Sequence, residues 1–248
     1  MLKTPKQFLR NATDAFLTLL YPKHCVVCGE VLSFQDNSAV CESCADLLPT
    51  LTGALCTVCG RAVISEGETC ADCRNAVHIF THNFALFPYD DTARDLILRY
   101  KASGHIAAAA DIARLLFNRF PASALPAFDC IVPVPSHKTR HRARGFTPTI
   151  LVAKSLAPLY DRPCVPDALR VTRNLQQQHT LPAASRKQNV DGAYAVQNAA
   201  AIAGKTVLLF DDILTTGATM NACAKTLLDR GAKCVFSMTI AVANRKNA

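Results

Sequence analysis

The sequence contains no apolar run approaching the roughly 18 residues that a membrane-spanning helix requires. Its N-terminus has no secretory pattern either: Asp14 interrupts the apolar stretch and no small-residue cleavage site follows. A cytoplasmic location is therefore expected. Also missing is any GxxxxGK[ST], which leaves a nucleoside-triphosphate P-loop unsupported. Stacking rings are scarce, since residues 130–190 offer only Phe146 and Tyr160, whereas grooves for single-stranded nucleic acid usually interleave rings with basic residues. Acidic side chains are equally scarce there. Residues 136–187 carry only Asp161 and Asp167 against Lys138, Arg140, Arg142, Arg144, Lys154, Arg162, Arg170, Arg173, Arg186 and Lys187. The formal charge of +8 belongs to this second part of the chain, because residues 1–75 hold 6 basic and 8 acidic side chains. Several of these cations crowd one short loop, which favours a polyanionic ligand over a merely solvated basic surface.

Cysteine is abundant. Eight of the 12 cysteines form four CxxC pairs: Cys25/Cys28, Cys41/Cys44, Cys56/Cys59 and Cys70/Cys73. A CxxC turn presents two thiolates to one ion, and two such turns complete a tetrahedral four-thiolate site, so two zinc ions are expected. Spacers of 12 and 10 residues suit short hairpins and favour pairing in sequence order, with Gly29 and Gly60 supplying the positive φ of each knuckle. A disulfide framework is disfavoured in a reducing cytosol, and a redox CxxC is not expected in four copies. Four thiolates leave no open position on zinc, so these ions would stabilise the fold and perform no chemistry. Cys130, Cys164, Cys223 and Cys234 lie singly in apolar stretches and read as core.

The 248 residues, half of them apolar, permit one or two domains. Phe8, Ala12, Ala15, Phe16 and Leu19 share one helical stripe, which predicts an amphipathic docking helix within residues 1–22. The double zinc ribbon then covers 23–75, and residues 76–248 form a second unit of alternating strand and helix signals. Strands are predicted at 84–89, 130–135, 168–172 and 206–212, with helices over 91–101, 105–119 and 147–160, and a last helix and strand closing the chain. Asp90 or Asp91 can cap the first of these helices. Near-continuous apolar strands separated by helices require an α/β fold with a parallel sheet covered on both faces, and ligands at the strands' carboxyl ends.

At one such end, residues 206–219 read TVLLFDDILTTGAT. Asp211 and Asp212 can accept hydrogen bonds from the vicinal hydroxyls of a ribose. Thr215, Thr216, Gly217, Ala218 and Thr219 can surround a phosphate at the start of the next helix, Gly217 giving the backbone its freedom. This stretch resembles the phosphoribosyl pyrophosphate (PRPP) motif of type I phosphoribosyltransferases. Together with the four CxxC pairs, FDCIVPVPSHKTRHRARGF at 128–146, then Arg173, Gln178, Leu181, Arg186, Asn189 and Ala193, it is similar to the ComF/GntX family over residues 20–242. The resemblance implies a type I phosphoribosyltransferase-like parallel sheet flanked by helices and preceded by a small zinc-ribbon module. It matches residues 135–138, with Ser136, His137 and Lys138, to the pyrophosphate loop, which would bind PRPP with Mg2+; Lys138, Arg140 and Arg144, on the loop after that strand, are assigned to the leaving charge. His141 could protonate the leaving group or act as a neutral hydrogen-bonding partner. The chain departs from the family at Thr147-Pro148, where Asn-Gln usually follows, and at Ser136, usually leucine. Thr147 can still cap the next helix with Pro148 in its first turn.

Three functions follow as expectations. One is a Mg-dependent phosphoribosyltransferase on an unassigned acceptor, including a nucleotide-salvage enzyme. Another is a PRPP-binding protein acting on single-stranded DNA during natural transformation, with a DNA-uptake helicase or other competence proteins as partners. A third is a PRPP-sensing regulator.

Overall fold

The computed structural model describes residues 24–33, 40–103, 106–136, 145–172 and 192–243. The amphipathic helix expected before residue 22 lies outside them, as do His137, Lys138, Arg140, His141, Arg142, Arg144 and the stretch from Arg173 to Asn189.

Strands β1 (Asn83–Pro88), β2 (Cys130–Pro133), β5 (Thr206–Leu214) and β6 (Cys234–Val242) build an all-parallel sheet in the order β1-β6-β5-β2. Their apolar character suits burial on both faces. Along β5 the side chains alternate: Leu208 and Phe210 face one core, Val207 and Leu209 the other. Helices Asp91–Ser103, Ile106–Arg119 and Pro148–Tyr160 cover the first face through Leu96, Ile112 and Leu156. The helix Ala218–Leu228 covers the second through Met220, Cys223 and Leu227. Each such fully buried side chain contributes about 1.5–3 kcal/mol. The Asp90 carboxylate accepts from Ala93 N–H at 2.9 Å and caps the first of these helices.

Two strands depart from the sequence-based expectation. β3 (Leu169–Val171) does not join the parallel sheet; it pairs antiparallel with β4 (Tyr194–Val196), a strand that the sequence pattern does not announce. β5 also runs past the two acids, because β6 accompanies it as far as the pair Leu214↔Val242. Of the single cysteines, Cys130 and Cys223 are fully buried, while Cys164 and Cys234 are half-buried.

The two ribbons use the same backbone hydrogen bonds. Cys25 and Cys56 N–H donate to Glu30 and Arg61 C=O, both at 2.7 Å, and Gly29 and Gly60 N–H donate back to Cys25 and Cys56 C=O. Both glycines have positive φ, +82° and +72°. The ribbons dock on opposite faces: Cys25, Cys44 and Leu32 pack into the core of the first face, and Cys56, Cys59 and Cys73 into that of the second. Between them lies the sheet edge formed by β1. Val58 C=O accepts from Asn83 N–H at 2.8 Å, so the second ribbon covers an edge that would otherwise offer unpaired backbone. The fully buried Asn83 side chain donates to Cys59 C=O and Thr239 Oγ1, both at 3.1 Å, and accepts from Ser237 Oγ at 2.9 Å.

Candidate functional site

The Sγ atoms of Cys25, Cys28, Cys41 and Cys44 lie within 4.8 Å of one another, as do those of Cys56, Cys59, Cys70 and Cys73. The structure therefore brings the cysteines together in sequence order. Four sulfurs at about 2.3 Å from a common centre stand about 3.8 Å apart in a tetrahedron. Cys28 and Cys41 are separated by 3.7 Å, and Cys59 and Cys70 by 3.8 Å. Those distances suit zinc and are far from the roughly 2.05 Å of a disulfide. Backbone N–H groups aim at the sulfurs, Cys41 at Cys25 Sγ (3.4 Å) and Cys70 at Cys56 Sγ (3.3 Å), as thiolate ligands require. Within the second set the thiols are close enough to perturb one another. A hydrogen bond from Cys73 holds the Cys59 thiol down at about 5 against desolvation, while Cys73 itself is pushed far up. The sulfur separations and the N–H groups aimed at the sulfurs fit both sets to structural Zn2+.

The second centre lies at the carboxyl ends of β2 and β5. Val134 N–H donates to Phe210 C=O at 2.8 Å, which carries Pro135 and Ser136 alongside Asp211 and Asp212. Asp211 Oδ1 accepts from the Asp212 N–H at 2.8 Å. Burial, then the neighbouring charge of Asp212, pushes the Asp211 carboxyl up to about 8. Asp212 makes a close ion pair with Lys101 Nζ, each side chain only about a fifth exposed. Lys101 stands in the last turn of the helix Asp91–Ser103. Beside it Tyr100 donates its hydroxyl to Pro148 C=O at 2.7 Å, fixing that turn against the start of Pro148–Tyr160. Burial first, then Asp212, raises the Tyr100 phenol well above its usual range.

Lys101 and Tyr100 are the site residues that the sequence did not reveal. Within YKASG they continue an ordinary amphipathic helix, and only tertiary folding brings the ammonium to Asp212.

After Leu214 the chain turns through Thr215 and Thr216. Gly217 adopts φ +77° and starts the helix Ala218–Leu228, with Thr216 Oγ1 accepting from Ala218 N–H at 3.4 Å. The first turn of a helix leaves N–H groups without intrahelical acceptors, and the aligned dipoles favour an anion there. Two carboxylates thus sit one short turn from a helix N-terminus that favours an anion. Thr147 occupies the cap position of Pro148–Tyr160 as expected, with Pro148 in the first turn, but its side chain makes no capping hydrogen bond. The neighbouring Thr149 hydroxyl instead donates to Val134 C=O at 2.8 Å, tying the helix start to the end of β2.

A double zinc ribbon domain model matches residues 16–74, and a phosphoribosyl transferase domain model matches residues 155–248. Competence protein ComFC of Bacillus subtilis is 28% identical over 217 residues, covering 83% of this chain and 85% of its own. DNA utilization protein YhgH of Escherichia coli K12 is 28% identical over 223 residues, 88% of this chain and 96% of its own. Competence protein F of Haemophilus influenzae is 25% identical over 214 residues, 84% and 91% respectively. Solved structures overlay partially, an adenine phosphoribosyltransferase with a TM-score of 0.35 and 20% identity over 59% of this chain and 76% of its own. The chain thus carries a double zinc ribbon ahead of a phosphoribosyltransferase domain and is similar to these competence and DNA utilization proteins over most of both chains.

Proposed function

We propose that the chain binds PRPP with Mg2+ at the carboxyl ends of β2 and β5, transfers its phosphoribosyl group, and serves the uptake or processing of single-stranded DNA in natural transformation. The observation that carries this reading is the juxtaposition of Asp211 and Asp212 with a left-handed Gly217 that opens a helix. In this reading the two carboxyl groups hold the 2′ and 3′ hydroxyls. A neutral Asp211 beside the Lys101-paired Asp212 supplies a donor as well as acceptors, which suits a diol. Thr215, Thr216, Gly217, Ala218 and Thr219 hold the 5′-phosphate, and Ser136, His137 and Lys138 the pyrophosphate.

Transfer breaks the bond between ribose C1 and the pyrophosphate oxygen. The electron pair leaves with pyrophosphate, the acceptor forms the new bond to C1, and its proton passes to a base. The cations of Lys138, Arg140 and Arg144 stabilise the leaving charge, and Mg2+ bound with PRPP would supply further neutralisation of it. The division into residues 1–22, 23–75 and 76–248 belongs to the same reading.

The names competence protein and DNA utilization protein, borne by relatives, favour a role on DNA, and the ten cations between residues 136 and 187 agree with it. The decisive assay is pyrophosphate release from PRPP and Mg2+ across nucleobases, amines and single-stranded DNA. Release with one of them supports transfer. PRPP binding without release from any acceptor would reduce the protein to a sensor. Salt-titrated binding to single-stranded DNA tests the second half: a steep negative slope is expected, and no affinity at low salt contradicts it.

A further inference from the structure

The loop at residues 215–217 is held on one side by the second zinc ribbon and on the other by the segment that leaves that ribbon. On the Leu214 side, Leu214 C=O accepts from Ala243 N–H at 2.9 Å. Ala243 C=O in turn accepts a close hydrogen bond from Arg61 Nη2, whose Nη1 is paired with Asp72 at 2.5 Å. Arg61 and Asp72 both lie between the first and last zinc ligands of that ribbon. On the helix side, Asn221 spans the segment that leaves the ribbon: its Oδ1 accepts from Ile79 N–H at 2.8 Å and its Nδ2 donates to Val77 C=O at 3.1 Å. Asn221 N–H makes the first helical bond, to Gly217 C=O at 2.8 Å. Beneath the glycine lies the buried Phe80 ring, its Cε1 3.9 Å from where a Cβ on Gly217 would stand.

We propose that the second zinc ribbon is a positioning element for the phosphate loop, acting through Arg61, Phe80 and Asn221, so that zinc at Cys56, Cys59, Cys70 and Cys73 and a 5′-phosphate on the loop stabilise each other. A ribbon with little apolar core of its own keeps its shape through the metal, and whatever it clamps inherits that dependence. Coupling of this kind is reciprocal: if zinc holds the loop, a ligand on the loop holds the zinc. The first ribbon docks elsewhere, through Cys28 C=O accepting from Arg99 at 3.0 Å on the opposite face. The inference rests on the loop being a phosphate site and deepens that reading.

Two measurements test it. In the native chain, ribose 5-phosphate is expected to slow chelator-driven release of one zinc of the two, while pyrophosphate slows neither; equal release with and without ribose 5-phosphate overturns the coupling. In Asn221→Ala, affinity for ribose 5-phosphate is expected to fall about tenfold, equivalent to about 1.4 kcal/mol, with pyrophosphate affinity unchanged and protection of the zinc lost. Asn221→Asp, which keeps the acceptor for Ile79 N–H, should recover part of both. Equal loss for both ligands would indicate general damage and overturn the positioning role. If the native chain binds pyrophosphate but no ribose 5-phosphate, the phosphate-site reading itself fails. Native binding combined with unaltered Asn221→Ala binding defeats only the coupling.

Discussion

Asp211 is held where burial and the neighbouring Asp212 disfavour a carboxylate. Its folded-state value of about 8 lies far above the value near 4 of an unfolded aspartate. Between about pH 4 and 8 the folded chain therefore retains a proton that the unfolded chain releases, and this group's contribution to stability declines as the pH rises through that window. Asp211→Asn cannot titrate. Urea midpoints measured from pH 5 to pH 8 are expected to fall less in the variant than in the parent, and parallel profiles would contradict the assignment. Lys101 is the compensating charge. Lys101→Met leaves Asp212 without its cation in a site about four-fifths enclosed and is expected to cost about 1–2 kcal/mol, read as a lowered thermal midpoint. An unchanged midpoint would show the ion pair to be energetically idle. Neither effect was legible in the sequence. Two adjacent acids after VLLF announce a site, but a lysine 110 positions earlier carries no signal until the helix Asp91–Ser103 packs beside β5.

Among the elements, those with a long apolar or capped pattern were readable. β5, β6 and the helix Pro148–Tyr160 carry their own signals, so their positions followed from period and punctuation. β4 did not, because Tyr194–Val196 is three residues long and owes its strand conformation to pairing with β3. The end of β5 was set by its neighbour, since pairing with β6 continues beyond the acids. The knuckle glycines were readable as turns, but not the tightness of one of them. A Cβ on Gly60 would stand 2.4 Å from Asn83 C=O, in addition to the strain of its positive φ. Gly60→Ala is expected to cost about 2–4 kcal/mol and to speed zinc loss. Gly67, with a similar φ of +73° but nothing within 4 Å, provides the control, where Ala should cost only about 1 kcal/mol. Equal costs at the two positions would mean that the ribbon does not depend on its close approach to β1.

For the whole molecule, ligand spacing identified the metal centres but not where they dock. CxxC spacing is a local property, whereas the division of the ribbons between the two faces depends on β1 being a sheet edge. Because Cys59 and Cys130 share one core, stripping both zinc ions is expected to lower a single cooperative melting transition rather than remove a separate one. A sheet that melts unchanged after chelation would show the ribbons to be independent of it.

The most direct test of the site is a calorimetric titration of PRPP and Mg2+ into the native chain and into Asp211→Asn combined with Asp212→Asn, with zinc measured on both. Saturable binding by the native chain, none by the variant, and two zinc ions in each are expected. Equal PRPP affinity in the two proteins would contradict the assignment of Asp211 and Asp212 to the ribose.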